Sequence, residues 1–317
     1  MGMNSPGSAE TDLSSSAASR CGENATAEYV HRVLHGKHFT FIINKLLDLH
    51  YSLLTPGGLS GRDAFQKSEH FYETLFRKDL DFGLISDQIR YPIVEGSNSH
   101  EIESKVEDCL KSIANKFTTH LLEAYEKYLA SDWLSRVDIL ESALSCFESK
   151  FLPHEDILFT ALGKSLNYCF NQPVPVFLVT TGTTYGAFTS EPALTVINVC
   201  RTPAEYFAEI VIHEATHGTE EENANRSESA LAVLKCALNK HGKGAKFDVA
   251  WHGLIFWNSG ELVRRYVNAE HVHYGKYAGI YDRRGKLEID LYRLYWNDFL
   301  DGKISMEEAL VKVAEQL

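Results

Sequence analysis

The chain has 317 residues, 44 % of them hydrophobic and 23 % charged, a composition typical of folded globular domains and far from disordered or fibrous chains. Its 31 Lys and Arg against 43 Asp and Glu leave a formal charge of -12, which repels polyphosphates and anionic lipid and argues against nucleic acid or membrane as partner. Six scattered cysteines with no CxxC pair suggest neither a thiolate metal site nor a redox couple, and fit a reducing compartment.

Residues 1–24 are rich in Ser, Ala and Gly and lack the basic start and apolar core of an export signal. They read as a flexible tail, and with no long apolar run further on the expected location is cytoplasmic. From 25 to 172 apolar residues recur at three and four, as in Leu110, Ile113, Phe117, Leu121 and Tyr125, which predicts an all-helical region. TPGG at 55–58 and the stretch 82–99 read as connections, the second long enough to form a lid. His31, His35 and His38 include one i,i+4 pair but no accompanying Glu, so no second metal site is expected there.

Beyond Asn171, PVPVFLV (173–179) and ALTVINV (193–199) are short, Val-rich and bounded by turn residues, which predicts two strands. Thr202-Pro203-Ala204-Glu205 then predicts a helix start, with Thr as N-cap, Pro at the first helical position and Glu three residues after the cap. At the C-terminus, SMEEALVKVAEQL predicts a helix capped by Ser305. The expected fold is α+β and predominantly α-helical: a helical region over 25–172, then a metal-binding domain over 173–317 whose small sheet backs the helix after Thr202.

That helix carries His213-Glu214-Ala215-Thr216-His217, an HExxH sequence. Its two His are four apart, so they stand one turn above the other on one helix face and can reach one ion. Zn2+ accepts neutral imidazole nitrogens, and a catalytic zinc site keeps three protein ligands and an open position for water. Glu214 is then placed to accept that water's proton.

HEATH, with the strand ALTVINV just upstream, resembles the zincin superfamily of zinc metallopeptidases over about residues 173–270. The resemblance implies a zincin-like core, a peptide or protein substrate, and an edge strand that binds extended peptide by strand addition, a role that would fall to residues 193–199. HEATHGTEEEN departs from the metzincin pattern, because no third His follows at the required spacing, and no Glu stands at the thermolysin-like spacing.

The third ligand therefore comes from elsewhere, with Glu228, His241, His252, Glu261, His271 and His273 as candidates. Glu228 falls in Asn225-Arg226-Ser227-Glu228, which reads as a capping box, and His241 in an exposed loop. His252 lies in the apolar run Val249–Trp257, where an unpaired polar ring is costly, and Gly253 beside it would admit a second helix. Glu261, nine positions on, points from the opposite face of that helix. WHGLIFWNSGELVRRYV is also similar to the segment after the motif in uncharacterised bacterial HExxH proteins, which implies His252 as the ligand; Glu228 and Glu261 remain alternatives.

Downstream, HVHYGKYAGIY (271–281) reads as a loop, and Tyr274 and Tyr277 are candidates for the hydrogen-bond donor to an oxyanion, as zincins use. Glu209, one turn before His213, and Asp248, one turn before His252, are candidates to orient those imidazoles. Glu220-Glu221-Glu222 reads as a solvated acidic run that favours basic substrates. The expected function is zinc-dependent peptide hydrolysis. A non-catalytic interaction module and a metal-dependent hydrolase of other amides or esters are the alternatives.

Overall fold

A computed structural model describes residues 28–55, 68, 114–170, 173–182, 186–190 and 194–317. The expected tail at 1–24, the lid at 82–99, Leu110, Ile113 and most of TPGG lie outside the described residues.

The described chain is α+β and predominantly helical. It opens with two strands, β1 (Val30–His35) and β2 (Phe39–Asn44), then α1 (Lys45–Leu54). Helices α2 (Ala114–Ser131) and α3 (Trp133–Cys146) follow, the latter running through a π-helical turn (Phe147–Phe151) and a 3-10 turn (Leu152–His154) into α4 (Glu155–Leu166). Next come β3 (Val174–Val179), β4 (Ala187–Ser190) and β5 (Leu194–Asn198), a 3-10 turn (Ala204–Tyr206) and α5 (Phe207–His217). The remainder is helical: α6 (Glu220–Ala224), α7 (Ala230–Lys240), α8 (Phe247–Tyr266), α9 (Tyr274–Tyr277), α10 (Ile280–Arg284), α11 (Lys286–Leu291), α12 (Asn297–Leu300) and α13 (Met306–Gln316).

The all-helical expectation for 25–172 is corrected by β1 and β2. Every residue of FTFIIN in β2 is buried, because β2 is an inner strand of the order β1-β2-β3-β5-β4. A strand covered on both faces shows no alternation, and its apolar run merges with KLLDLHYSLL of α1, so periodicity cannot separate strand from helix there. β2 pairs in parallel with β3, Phe41 opposite Val176, so the sheet joins chain from both sides of residue 173. His31 and His35 lie on β1 rather than on a helix, and His38 bonds Asp156 at 2.7 Å.

Strand β5 pairs in parallel with β3 and antiparallel with β4. Among the described residues the sheet therefore ends on this side at β4, and the expected role of 193–199 as the edge is corrected: β5 is an inner strand, buried along its length. An aromatic stack then links sheet to motif helix. Phe41 of β2 stacks on Phe147 at 4.3 Å between centroids, and Phe147 stacks on Phe207 of α5 at 4.4 Å. Such pairs add about 0.5–1.5 kcal/mol each beyond their buried area.

The β1–β2 turn closes on a buried side chain from the start of α4. The Glu155 carboxylate accepts the backbone N–H groups of Lys37, His38 and Phe39 at 2.8, 2.7 and 2.7 Å. A Cβ at Gly36 would stand 2.5 Å from Glu155 Oε1, so only glycine lets the turn close this tightly. Ser305 caps α13 as expected, accepting from the Glu308 amide at 3.1 Å.

Glu155→Ala should leave these amides without their acceptor and destabilise the protein by about 3 kcal/mol, with Glu155→Gln, which keeps one acceptor oxygen, falling between. Urea unfolding midpoints measure both; an unchanged midpoint in Glu155→Ala would show that the turn closes without the carboxylate.

Candidate metal centre

Helix α5 does not begin as the sequence suggests. The Thr202 hydroxyl donates to the Gly186 carbonyl at 3.1 Å instead of capping, and the helix is entered through the 3-10 turn at Ala204. Thr202 thereby ties the helix entrance to the start of β4. Ile210, Val211, Ile212 and Ala215 are buried and fix the rotation of α5, which sends His213, Glu214 and His217 toward β4 and α8.

His252 of α8 meets them. Ring centroids are 5.0 Å apart for His213–His217, 5.3 Å for His213–His252 and 5.0 Å for His217–His252. One ring nitrogen from each lies within 4.8 Å of the other two, and among the described residues this is the one group of His, Cys, Asp or Glu able to hold an ion. Three nitrogens on one tetrahedral zinc stand about 3.4 Å apart, so a small contraction suffices. Phe256, one turn after His252, stacks on it at 5.0 Å and lies 3.9 Å from His213, walling the site on its apolar side.

The protonation state of His213 suits a cation. Burial, then the neighbouring His217 and His252, push the His213 pKa well below its ordinary 6.5, so its ring is held neutral, the form that ligates. His213 Nδ1 is buried without a hydrogen-bond partner, and the donor set is three imidazoles. The residues present fit a zinc ion.

A carboxylate orients His217, and it comes from the run read as solvated. Glu220 Oε1 stands 2.6 Å from His217 Nδ1 and accepts the Trp251 indole N–H at 2.7 Å. Fixing the outer nitrogen of a ligating His in this way aims the ring and raises its basicity. Trp251 adjoins His252, so one carboxylate locks α6, α5 and α8 together. The signal for it was the spacing of three from His217, masked by two further acidic residues.

Glu214 is buried at 5 % exposure. The Thr189 hydroxyl of β4 donates to its Oε2 at 2.9 Å and lies 2.9 Å from the Thr195 hydroxyl of β5. Burial raises the Glu214 carboxyl above its ordinary 4.5, against the opposing pull of His217 and Thr189. No sequence spacing pointed to Thr189, which reaches the site only through the pairing of β4 with β5.

The other candidates lie elsewhere. Glu228 is exposed and pairs with Arg226 at 3.2 Å; the cap of α7 is Ser229, which accepts from the Ala232 amide at 3.2 Å, so the capping box expected at Asn225 is corrected. Glu261 is held by Arg264 at 2.6 Å, Arg265 at 3.3 Å and His273 at 3.2 Å. His241 stands 4.0 Å from Glu315. Glu209 does not orient His213: its Oε2 meets His271 Nε2 at 2.7 Å and accepts the Tyr274 amide at 2.8 Å, fastening the 271–274 segment to α5. Asp248 is exposed.

Gly253 serves a different neighbour, since a Cβ there would meet Tyr292 at 3.4 Å and Glu288 at 3.7 Å, at α11 and the π-helical turn Tyr292–Trp296. Tyr274 and Tyr277 fall in short helix α9, with ring contacts to Tyr206 at 5.3 and 4.7 Å. A Cβ on Gly186, just before β4, would stand 3.2 Å from the Tyr274 hydroxyl, while Tyr277 is exposed. The structure thus brings together His213, Glu214, His217 and His252, and groups the two tyrosines around Tyr206.

No known family model, curated protein or solved structure matches the chain. Among the described residues no helix is long and apolar enough to cross a membrane.

Two measurements test this geometry. His252→Ala should abolish retention of one metal per chain after dialysis against a weak chelator, and Glu220→Gln should weaken metal affinity about 10–100-fold while the fold persists; wild-type affinity in both would remove His252 from the ligand set and Glu220 from its support. Separately, burial alone would raise the Glu261 carboxyl, but His273 and Arg264 overcome it and hold the pKa down to about 2 against an ordinary 4.5. The stability this supplies is present above pH 4.5 and is lost as pH falls through about 2, because the unfolded chain binds the proton first. The stability gap between wild type and Glu261→Gln should therefore narrow over that window, and a gap independent of pH would contradict it.

Proposed function

We propose that the protein is a zinc-dependent metallopeptidase of zincin type. The observation that carries the reading is His252, supplied by a separate helix, converging on the HExxH pair beside a buried Glu214. His213, His217 and His252 would hold the ion, which when bound polarises a carbonyl and acidifies water.

The chain's own residues supply the rest. Thr189 holds Glu214 Oε2, which leaves Oε1 to take a proton from the attacking water. A carboxyl raised above its ordinary pKa by burial keeps that proton long enough to pass it to the leaving amine nitrogen, as general base and then general acid. Among the described residues β4 ends the sheet order, and its outer edge would take an extended peptide as a further strand. Thr189 then sets the distance between that strand and Glu214. Phe256 excludes water behind the imidazoles, where electrostatic interactions are strengthened by the low dielectric.

Glu214→Gln should keep zinc at one per chain and slow cleavage of a peptide library about 10²–10⁴-fold. Cleavage unchanged in that variant would sink the assignment, and a silent library on zinc-loaded wild type would favour a non-peptide substrate or an interaction module.

A further inference from the structure

Helix α8 ends at Tyr266, and residues 267–281 fold back as a strap across both helices that carry the candidate ligands. Two His–Glu pairs fasten it. His273 Nε2 stands 3.2 Å from Glu261 of α8, with its ring so close to Gly260 that a Cβ there would overlap it. His271 Nε2 stands 2.7 Å from Glu209 of α5, whose same oxygen accepts the Tyr274 amide at 2.8 Å.

The two anchors differ in charge. Glu261 also has Arg264 and Arg265 at 2.6 and 3.3 Å, so its charge is compensated whatever His273 carries. Glu209 is 0 % exposed and the His271 side chain 6 %, and among the described residues no Lys or Arg pairs with Glu209. Its Oε1 is buried without a hydrogen-bond partner.

The groups facing this pair add no positive charge. Tyr206 at the entrance of α5 and His273 lie nearest the His271 ring. Tyr274 and Tyr277 pack on Tyr206, and Tyr281 lies between Glu209 and Glu261. Burial above all raises the hydroxyls of Tyr206, Tyr274 and Tyr281 beyond their ordinary 10, so they stay neutral. Glu205 and Lys276 are exposed. Other buried carboxylates are better provided: Asp48 and Asp132 face Arg136, and Glu155 accepts three amides.

We infer that the strap is a proton-operated latch, closed on its α5 side while His271 carries a proton. The imidazolium then neutralises Glu209. Loss of that proton to solvent leaves a buried carboxylate with no countercharge, which is costly, so the α5 anchor releases as pH rises while the arginine-supported α8 anchor holds. Tyr274, whose hydroxyl lies against Gly186 just before β4, leaves with the released end. On the peptidase reading this opens the start of the strand that takes substrate, so access to the site follows pH; the latch itself does not rest on that reading.

The test is backbone hydrogen exchange of the full-length protein as purified, corrected for the intrinsic pH dependence of exchange. It runs between about pH 5 and 9, which spans the range in which histidine changes charge. Because release gives up one proton, protection of residues 271–277 should fall about tenfold per pH unit over part of that range, while protection of α13 stays constant. Glu209→Gln, which needs no countercharge, should abolish the dependence, and His273→Gln should retain it. Protection that does not vary with pH, a dependence that survives Glu209→Gln, or its loss in His273→Gln overturns the inference. Should Glu209→Gln fail to fold, the nitrogen chemical shifts of the wild-type His271 ring decide. Both nitrogens protonated while the strap is protected would support the latch, and a neutral ring there would overturn it. None of these measurements reads bound metal or turnover, so the latch and the peptidase reading fail separately.

Discussion

An imidazole packed among apolar side chains loses its water and must find a partner, and at the meeting of α5 and α8 three of them do so in one place. His213 is 2 % exposed and shares the Phe256 ring with His252. That crowding holds His213 neutral. The rest of the architecture serves to bring these two helices into contact. The Phe41–Phe147–Phe207 stack presses α5 onto the sheet side, and Glu220 joins the end of α5 to Trp251 of α8.

Helix α8 is itself anchored well away from His252. Asn258 donates to the Ser165 hydroxyl of α4 at 2.9 Å and accepts from the Trp296 indole at 3.0 Å. Gly253 lets Tyr292 come close on the other side, where the Tyr292 hydroxyl donates to the Ala250 carbonyl at 2.8 Å. The position of His252 is thus over-determined, which keeps its ring beside His213 and His217.

Buried carboxylates recur through the molecule, and their partners separate their roles. Glu155 is saturated by backbone amides. Asp48 accepts from Tyr128, Thr180 and Arg136 at the carboxyl end of β3, and Glu261 is enclosed by cations. In each of these, hydrogen bonds offset the cost of burying the carboxyl group. Glu214 is the exception: a single hydroxyl bonds one oxygen, and burial prevails. A carboxyl in that balance is suited to exchanging a proton, whereas the others are suited to holding structure.

The sequence alone determined the local features. The four-residue spacing of His213 and His217 puts both on one helix face; Val-rich 174–179 and 194–198 form strands; Ser305 caps the last helix. Even His252 was legible, because a polar ring inside an apolar run signals a partner. What only the tertiary structure decided depends on chain segments far apart in sequence. β2 lost its alternation by being covered on both faces, so the N-terminal strands were hidden in a helical reading. Among the described residues β4, not β5, became the edge, and with it came Thr189, since strand order is set by pairing that no local pattern encodes. Glu220 was concealed among acidic neighbours until the packing of α8 brought Trp251 to it, and Glu209 was drawn to His271 by the path of a distant segment. Local periodicity reports which face of an element is apolar. It carries no information on which other element will cover that face, and that pairing decides the site.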